Sequence, residues 1–190
     1  MNTASMAGAR LFVALMLYAG AAAATPFAWI TNQGADNVTV IDTDGDKVVA
    51  TVPTGHRPAG VAVAADGSRA YISNPVGRSV TVVDGRTFKV IDTVAVGEGP
   101  LAIAVGPRNR FVYIADWYVD SVFVLNARTL KLEGKIPVGK SPSGLAVAPD
   151  GSTLYVADRD DNNVKFIDLA TRKVTATVTV GTAPFGITLA

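Results

Sequence analysis

From residue 27 onward, short apolar runs alternate with clusters of Gly, Pro, Asn and Asp. Four runs make one unit. They are VAVA (61–64), AYISN (70–74), VTVV (80–83) and KVIDTV (89–94), the last nearly alternating apolar with polar. Their length, β-branched and aromatic content, and flanking breakers predict strands. We label them a, b, c and d. The unit recurs: a as IAVG, LAVA and ITLA; b as FAWITN, FVYIAD and LYVAD; c as VTVI, VFVL and VKFI; d as KVVATV and KVTATV.

The recurrence keeps strict register. Gly55, Gly97, Gly139 and Gly181 stand 42 residues apart, as do Pro58, Pro100, Pro142 and Pro184, and Trp29, Tyr71, Tyr113 and Tyr155. Between a and b, Asp66-Gly67 and Asp150-Gly151 favour tight hairpin turns, because Gly tolerates a positive φ. Asn109 serves in the third copy. The c-to-d connections are also hairpin-length. Tandem four-stranded antiparallel sheets of about 40 residues are the signature of a β-propeller. Strand a alternates small residues with Val, Ile and Leu, which suits the crowded innermost strand of a blade.

The words AWITN, AYISN, VYIAD and LYVAD, each followed by an NVTVID-like strand and set after a P-x-G-[VIL]-A-V-like segment, resemble the YVTN family of propeller repeats. The resemblance spans residues 27–190. It implies an exported bacterial or archaeal propeller, commonly seven-bladed, without implying one activity.

The first unit, opening at Phe27, has b, c and d but no a; the last unit, Gly186-Ile187-Thr188-Leu189, is a alone. The expectation is an all-β propeller of four four-stranded, 42-residue blades: 27–52 with 186–189, then 58–94, 100–136 and 142–178. The C-terminal strand would complete the first blade and cover its edge. Three assemblies fit: a closed four-bladed monomer, half of an eight-bladed homodimer, or an open arc or fragment.

Composition adds the compartment. Arg10 followed by an uncharged Leu- and Ala-rich run, Leu11 to Ala24, reads as a signal peptide over residues 1–24, with the propeller domain at 25–190. The run is shorter than the ~20 residues that span a bilayer, so no membrane span is expected in the mature chain. The expected location is periplasmic or secreted. The chain has no Cys, so core and ladders alone must hold it. Removing the leader takes away one base and no acid, leaving 16 of each. That balance, without blocks of like charge, argues against nucleic-acid binding.

Candidate chemistry sits in loops. The d-to-a and b-to-c connections share one face. The d-to-a column carries His56, Glu98, Lys140 and Thr182, with Arg57 beside the first, and is expected to ring the channel mouth as a ligand or partner site. Trp117 and Tyr118 are candidate recognition aromatics in a b-to-c loop. Asn32, Asn74, Asp116 and Asp158 recur where those loops begin, as expected for side chains that bond the turn backbone. Asp158, Asp160 and Asp161 form an acidic loop with calcium as the candidate ion; DTDGD (42–46) lacks the Gly and distal Glu of a calcium loop. His56 is the one imidazole, and Glu98 is the carboxylate expected to orient it. The sole His and the missing Cys exclude a cytochrome-type haem site and a zinc cluster. No Ser sits in a nucleophile elbow. Three functions remain open: an envelope scaffold binding a protein or small molecule, an enzyme such as a metal-dependent lactonase-like hydrolase or a quinone-linked dehydrogenase subunit, and a purely structural envelope protein. The enzyme versions come by analogy with propeller relatives.

Overall fold

The computed structural model describes residues 27–190. The expected leader lies outside the described residues. Fifteen strands form four antiparallel meanders. The first sheet is β1 (Phe27–Asn32), β2 (Asn37–Asp42) and β3 (Lys47–Pro53). The second is β4 (Val61–Val63), β5 (Arg69–Asn74), β6 (Ser79–Asp84) and β7 (Val90–Ala95). The third is β8 (Pro100–Val105), β9 (Phe111–Asp116), β10 (Ser121–Asn126) and β11 (Leu132–Pro137). The fourth is β12 (Pro142–Val147), β13 (Thr153–Asp158), β14 (Asn163–Asp168) and β15 (Lys173–Thr179). Every c–d pair slips register near one repeat position, at Val40/Ile41, Val82/Val83, Phe123/Leu125 and Phe166/Ile167. Such a bulge sharpens the local twist.

The period-2 pattern of strands b and c supplies both faces of each sheet. In β5, Tyr71 points toward the third sheet and Ile72 toward the first, both fully buried. Three cores result, one per seam between neighbouring blades. Val38, Val40 and Val52 meet Ala70, Ile72 and Val83; Val80 and Val82 meet Val112, Ile114 and Leu125; Val122 and Val124 meet Leu154, Val156 and Ile167. Burial of this size dominates the stabilisation.

Four sheets with three cores make an arc, which corrects the expected closure. The first sheet remains three-stranded. Residues 184–190 take no strand pairing and lie against β12 instead. A Cβ on Gly144 would meet the Phe185 carbonyl at 2.4 Å, just as one on Gly60 would meet the Leu101 carbonyl at 2.5 Å. Ser143 Oγ also donates to the Pro184 carbonyl at 2.9 Å. The tail thus takes the place that strand a of a following blade would take. The physical reason is angular: closing four blades needs about 90° per seam, whereas seven-blade packing turns about 51°.

Candidate functional site

The loop face combines an aromatic cavity and a polar rim. Trp117, Tyr118, Phe185, Pro75, Gly99 and Leu101 enclose a cavity of about 250 Å³. Trp117 and Phe185 are in ring contact, with centroids 6.3 Å apart, and the Arg159 guanidinium stacks on Trp117 at 5.6 Å. Tyr118 is 73% exposed and lies across Gly99, where a Cβ would meet its ring at 2.5 Å. Gly99 is therefore what lets the tyrosine lie flat. The cavity shares Leu101 and Phe185 with a cleft of about 370 Å³ along the innermost strands, lined also by Gly60, Ile103, Gly144 and Ile187. Small residues in strand a thus leave an open cleft along the inner face of the arc. The expected aromatics are at its mouth, joined by Phe185, whose place beside β12 had no strand-pattern signal.

The d-to-a column is arranged differently from expectation. His56, Arg57, Glu98, Lys140 and Thr182 are outside the aromatic cavity and turn toward the b-to-c loops. Asp36, not Glu98, orients His56: its Oδ2 is 2.9 Å from Nδ1, and its Oδ1 accepts the Arg57 amide at 2.8 Å. That amide, then the imidazole, holds the Asp36 carboxyl below its ordinary range. Glu98 pairs with Arg78 at 2.8 Å. The clasp recurs: Asp120 accepts the Ser141 amide at 3.0 Å and Asn162 the Ala183 amide at 2.8 Å. Its acceptors all hold left-handed backbone, with φ of 50° at Asp36, 48° at Asp120 and 54° at Asn162. The sequence did carry a signal, since Asp36, Arg78 and Asp120 stand twenty residues before His56, Glu98 and Lys140, the last two pairs opposite in charge. The His56 loop and the aromatic cavity lie on either side of loop 75–78: Pro75 lines the cavity while the Gly77 amide donates to the His56 carbonyl at 3.1 Å.

Residues 18–185 match the family model described as Lactonase, 7-bladed beta-propeller. The chain belongs to that family. The family's rings carry seven blades rather than the expected four. Among solved structures, the chain is similar to Kuenenia stuttgartiensis hydrazine synthase, at 27% identity and a TM-score of 0.77, covering 81% of this chain and 46% of that one. A functionally unknown protein from Desulfotomaculum acetoxidans shares the fold at 18% identity and a TM-score of 0.76, over 85% of this chain and 55% of that one. The chain thus spans about half the length of each. No curated protein sequence matches it. Among the described residues, no helix is long and apolar enough to cross a membrane.

In this lactonase-family propeller the acidic loop does not converge. Asp160 accepts from Ser141 Oγ at 2.6 Å and Arg159 at 2.7 Å, and the serine bond first, then the arginine, lowers its pKa. Asp161 accepts the Lys140 amide at 2.9 Å. Among the described residues no group of three or more His, Cys, Asp or Glu is placed to hold a metal ion. Asp158 is the exceptional member: fully buried, with neither oxygen hydrogen-bonded. Its counterpart Asp116 accepts four amides, those of Glu98, Gly99, Tyr118 and Val119. Asp158 loses the equivalent pair because Asp161 and Asp120 have taken Lys140 and Ser141. Burial pushes its carboxyl up to about 6; the Gly139 amide and Lys165 pull the other way, and Asp161 and Asp120 add to the rise. Asn32 and Asn74 instead bond sideways, to Thr39 at 2.8 Å and Thr81 at 3.0 Å.

Proposed function

We propose that the chain supplies four blades of an exported bacterial propeller whose loop face opens small lactones. One observation carries this reading: a lactonase-family chain holds its one imidazole to a carboxylate at 2.9 Å, on the face that carries the aromatic cavity. Asp36 fixes His56 Nδ1, and the other ring nitrogen takes a proton from water as that water attacks the lactone carbonyl. The ring C–O bond breaks, and the proton passes to the departing alkoxide, giving the hydroxy acid. The Trp117–Tyr118–Phe185 cavity beside it offers an apolar face to the ring. Export and the YVTN-like repeat words belong to the same reading. The metal-dependent version has no grouped ligand set behind it among the described residues.

The test is turnover of a panel of five- and six-membered lactones, followed by acid release. Wild-type activity should fall sharply in both His56→Ala and Asp36→Asn. Full activity in His56→Ala sinks the mechanism. A second reading, a binding scaffold, is favoured by the exposure of Tyr118 and Phe185, at 73% and 57%. It expects ligand-dependent change in Trp117 fluorescence without turnover, lost in Tyr118→Ala.

A further inference from the structure

The opposite face, built from a-to-b and c-to-d turns, carries a second polar site. In three of the four repeats the a-to-b turn can be compared directly. The second and fourth read Ala-Asp-Gly-Ser (65–68) and Pro-Asp-Gly-Ser (149–152); the third reads Pro-Arg-Asn-Arg (107–110). An acid is replaced by Arg108 and a serine by Arg110. Arg108 and Asn109 both hold left-handed backbone, at φ 60° and 51°, where the sister turns need only one such residue, Gly67 or Gly151.

Between the second and third blades this turn borders a cleft of about 350 Å³ lined by Arg69, Arg108, Arg128, Tyr71, Asp66 and Asn109, among others. Arg69 donates to the Ala127 carbonyl. Neither Arg108 nor Arg128 forms an ion pair among the described residues. Asp66 is the cleft's one carboxylate, and it accepts the Ser68 amide at 2.9 Å. Tyr71 is fully buried, and its hydroxyl stands beside the Arg69 guanidinium with no acceptor for its own proton among the described residues. A buried hydroxyl without an acceptor is costly, which favours a site that can accept its proton. The cleft sets three guanidinium groups against one carboxylate.

We propose that this cleft binds a phosphate-type oxyanion, as free phosphate, a phosphate monoester or a lipid headgroup. Guanidinium groups from three separate elements suit a multiply charged tetrahedral anion, which accepts hydrogen bonds from several directions at once. The Tyr71 hydroxyl supplies a further donor from the floor. The site is independent of the lactone chemistry on the other face.

The probe is inorganic phosphate, titrated calorimetrically into the full chain at low ionic strength. A parallel arm measures binding to neutral vesicles doped with phosphatidic acid. The Arg108→Asp/Asn109→Gly variant takes the Asp-Gly of the sister turns, so it should keep the wild-type fold, with a slightly lower melting temperature because the Asn109 Oδ1 bond to the Ala65 amide is lost. It is expected to lose affinity about tenfold or more, and Arg128→Gln about tenfold. Binding of free phosphate assigns a soluble ligand, and binding of vesicles alone assigns a headgroup; both support the site if each variant weakens them about tenfold. No binding by wild type in either arm, or wild-type affinity in either variant, overturns it.

Discussion

Replacing Asp158 and Lys165 with Asn and Thr transplants the pair used by the first two blades into the fourth. Asp158 is buried without a hydrogen bond, and Lys165 Nζ stands off at 3.8 Å. Its carboxyl titrates at about 6 against an ordinary 3.8. Between those values the folded chain holds a proton that the unfolded chain has released, so stability rises as pH falls. The full difference corresponds to about 3 kcal/mol, present below 3.8 and lost once pH passes 6. From pH 7.5 to pH 5 the gain is on the order of 1 kcal/mol, or a few degrees in melting temperature for a chain of this size. Circular dichroism melts at the two pH values measure it, in a His56→Asn background so that no imidazole titrates. The double variant should be flat across the window and, at pH 7.5, more stable than its parent by about 2–3 kcal/mol. A parent protein equally or less stable at pH 5 than at pH 7.5 refutes the reasoning.

Three further outcomes are expected. Ile114→Ala empties a fully buried site in the core between the second and third blades and should cost about 2–5 kcal/mol, read by urea denaturation. Gly97→Ala adds a methyl group 1.9 Å from Asp116 Oδ2 at a φ of +54°; it should destabilise by more than about 1 kcal/mol, with Asp116→Asn recovering little. Below pH 4, the depressed carboxyls of Asp36, Asp84, Asp150 and Asp168 should reverse the trend, since each loses its bonds to turn amides on protonation and stability falls with pH; acid melts at pH 4 and pH 2.5 follow it.

Strands, turns and register were legible because each depends on local pattern: period-2 burial, Asp-Gly turns and a 42-residue recurrence. Closure was not, because it depends on the angle at which two sheets pack, which no single repeat encodes. Hence Phe185 and Ile187 lie beside Gly144 rather than beside β1. The partner of His56 was misassigned to Glu98 by reading down one column of the repeat, when the contact runs between columns, to Asp36. Asp158 shows a third limit. Its residue type matches Asp116, yet Asp161 and Asp120 take the Lys140 and Ser141 amides, whereas Val119 and Arg78, at the same repeat positions, leave those of Glu98 and Gly99 to Asp116.

That same substitution has a mechanical consequence. Asp36 and Asp120 tie the first blade to the second and the third to the fourth through backbone amides. At the middle seam Arg78 replaces the tie with an exposed ion pair to Glu98. Such a pair weakens as salt screens it, whereas the amide ties are short-ranged. Raising salt should therefore loosen the loop-face tie at the middle seam, while the core around Val82 and Ile114 and the Ser73 bond to the Leu101 carbonyl keep the two blades packed.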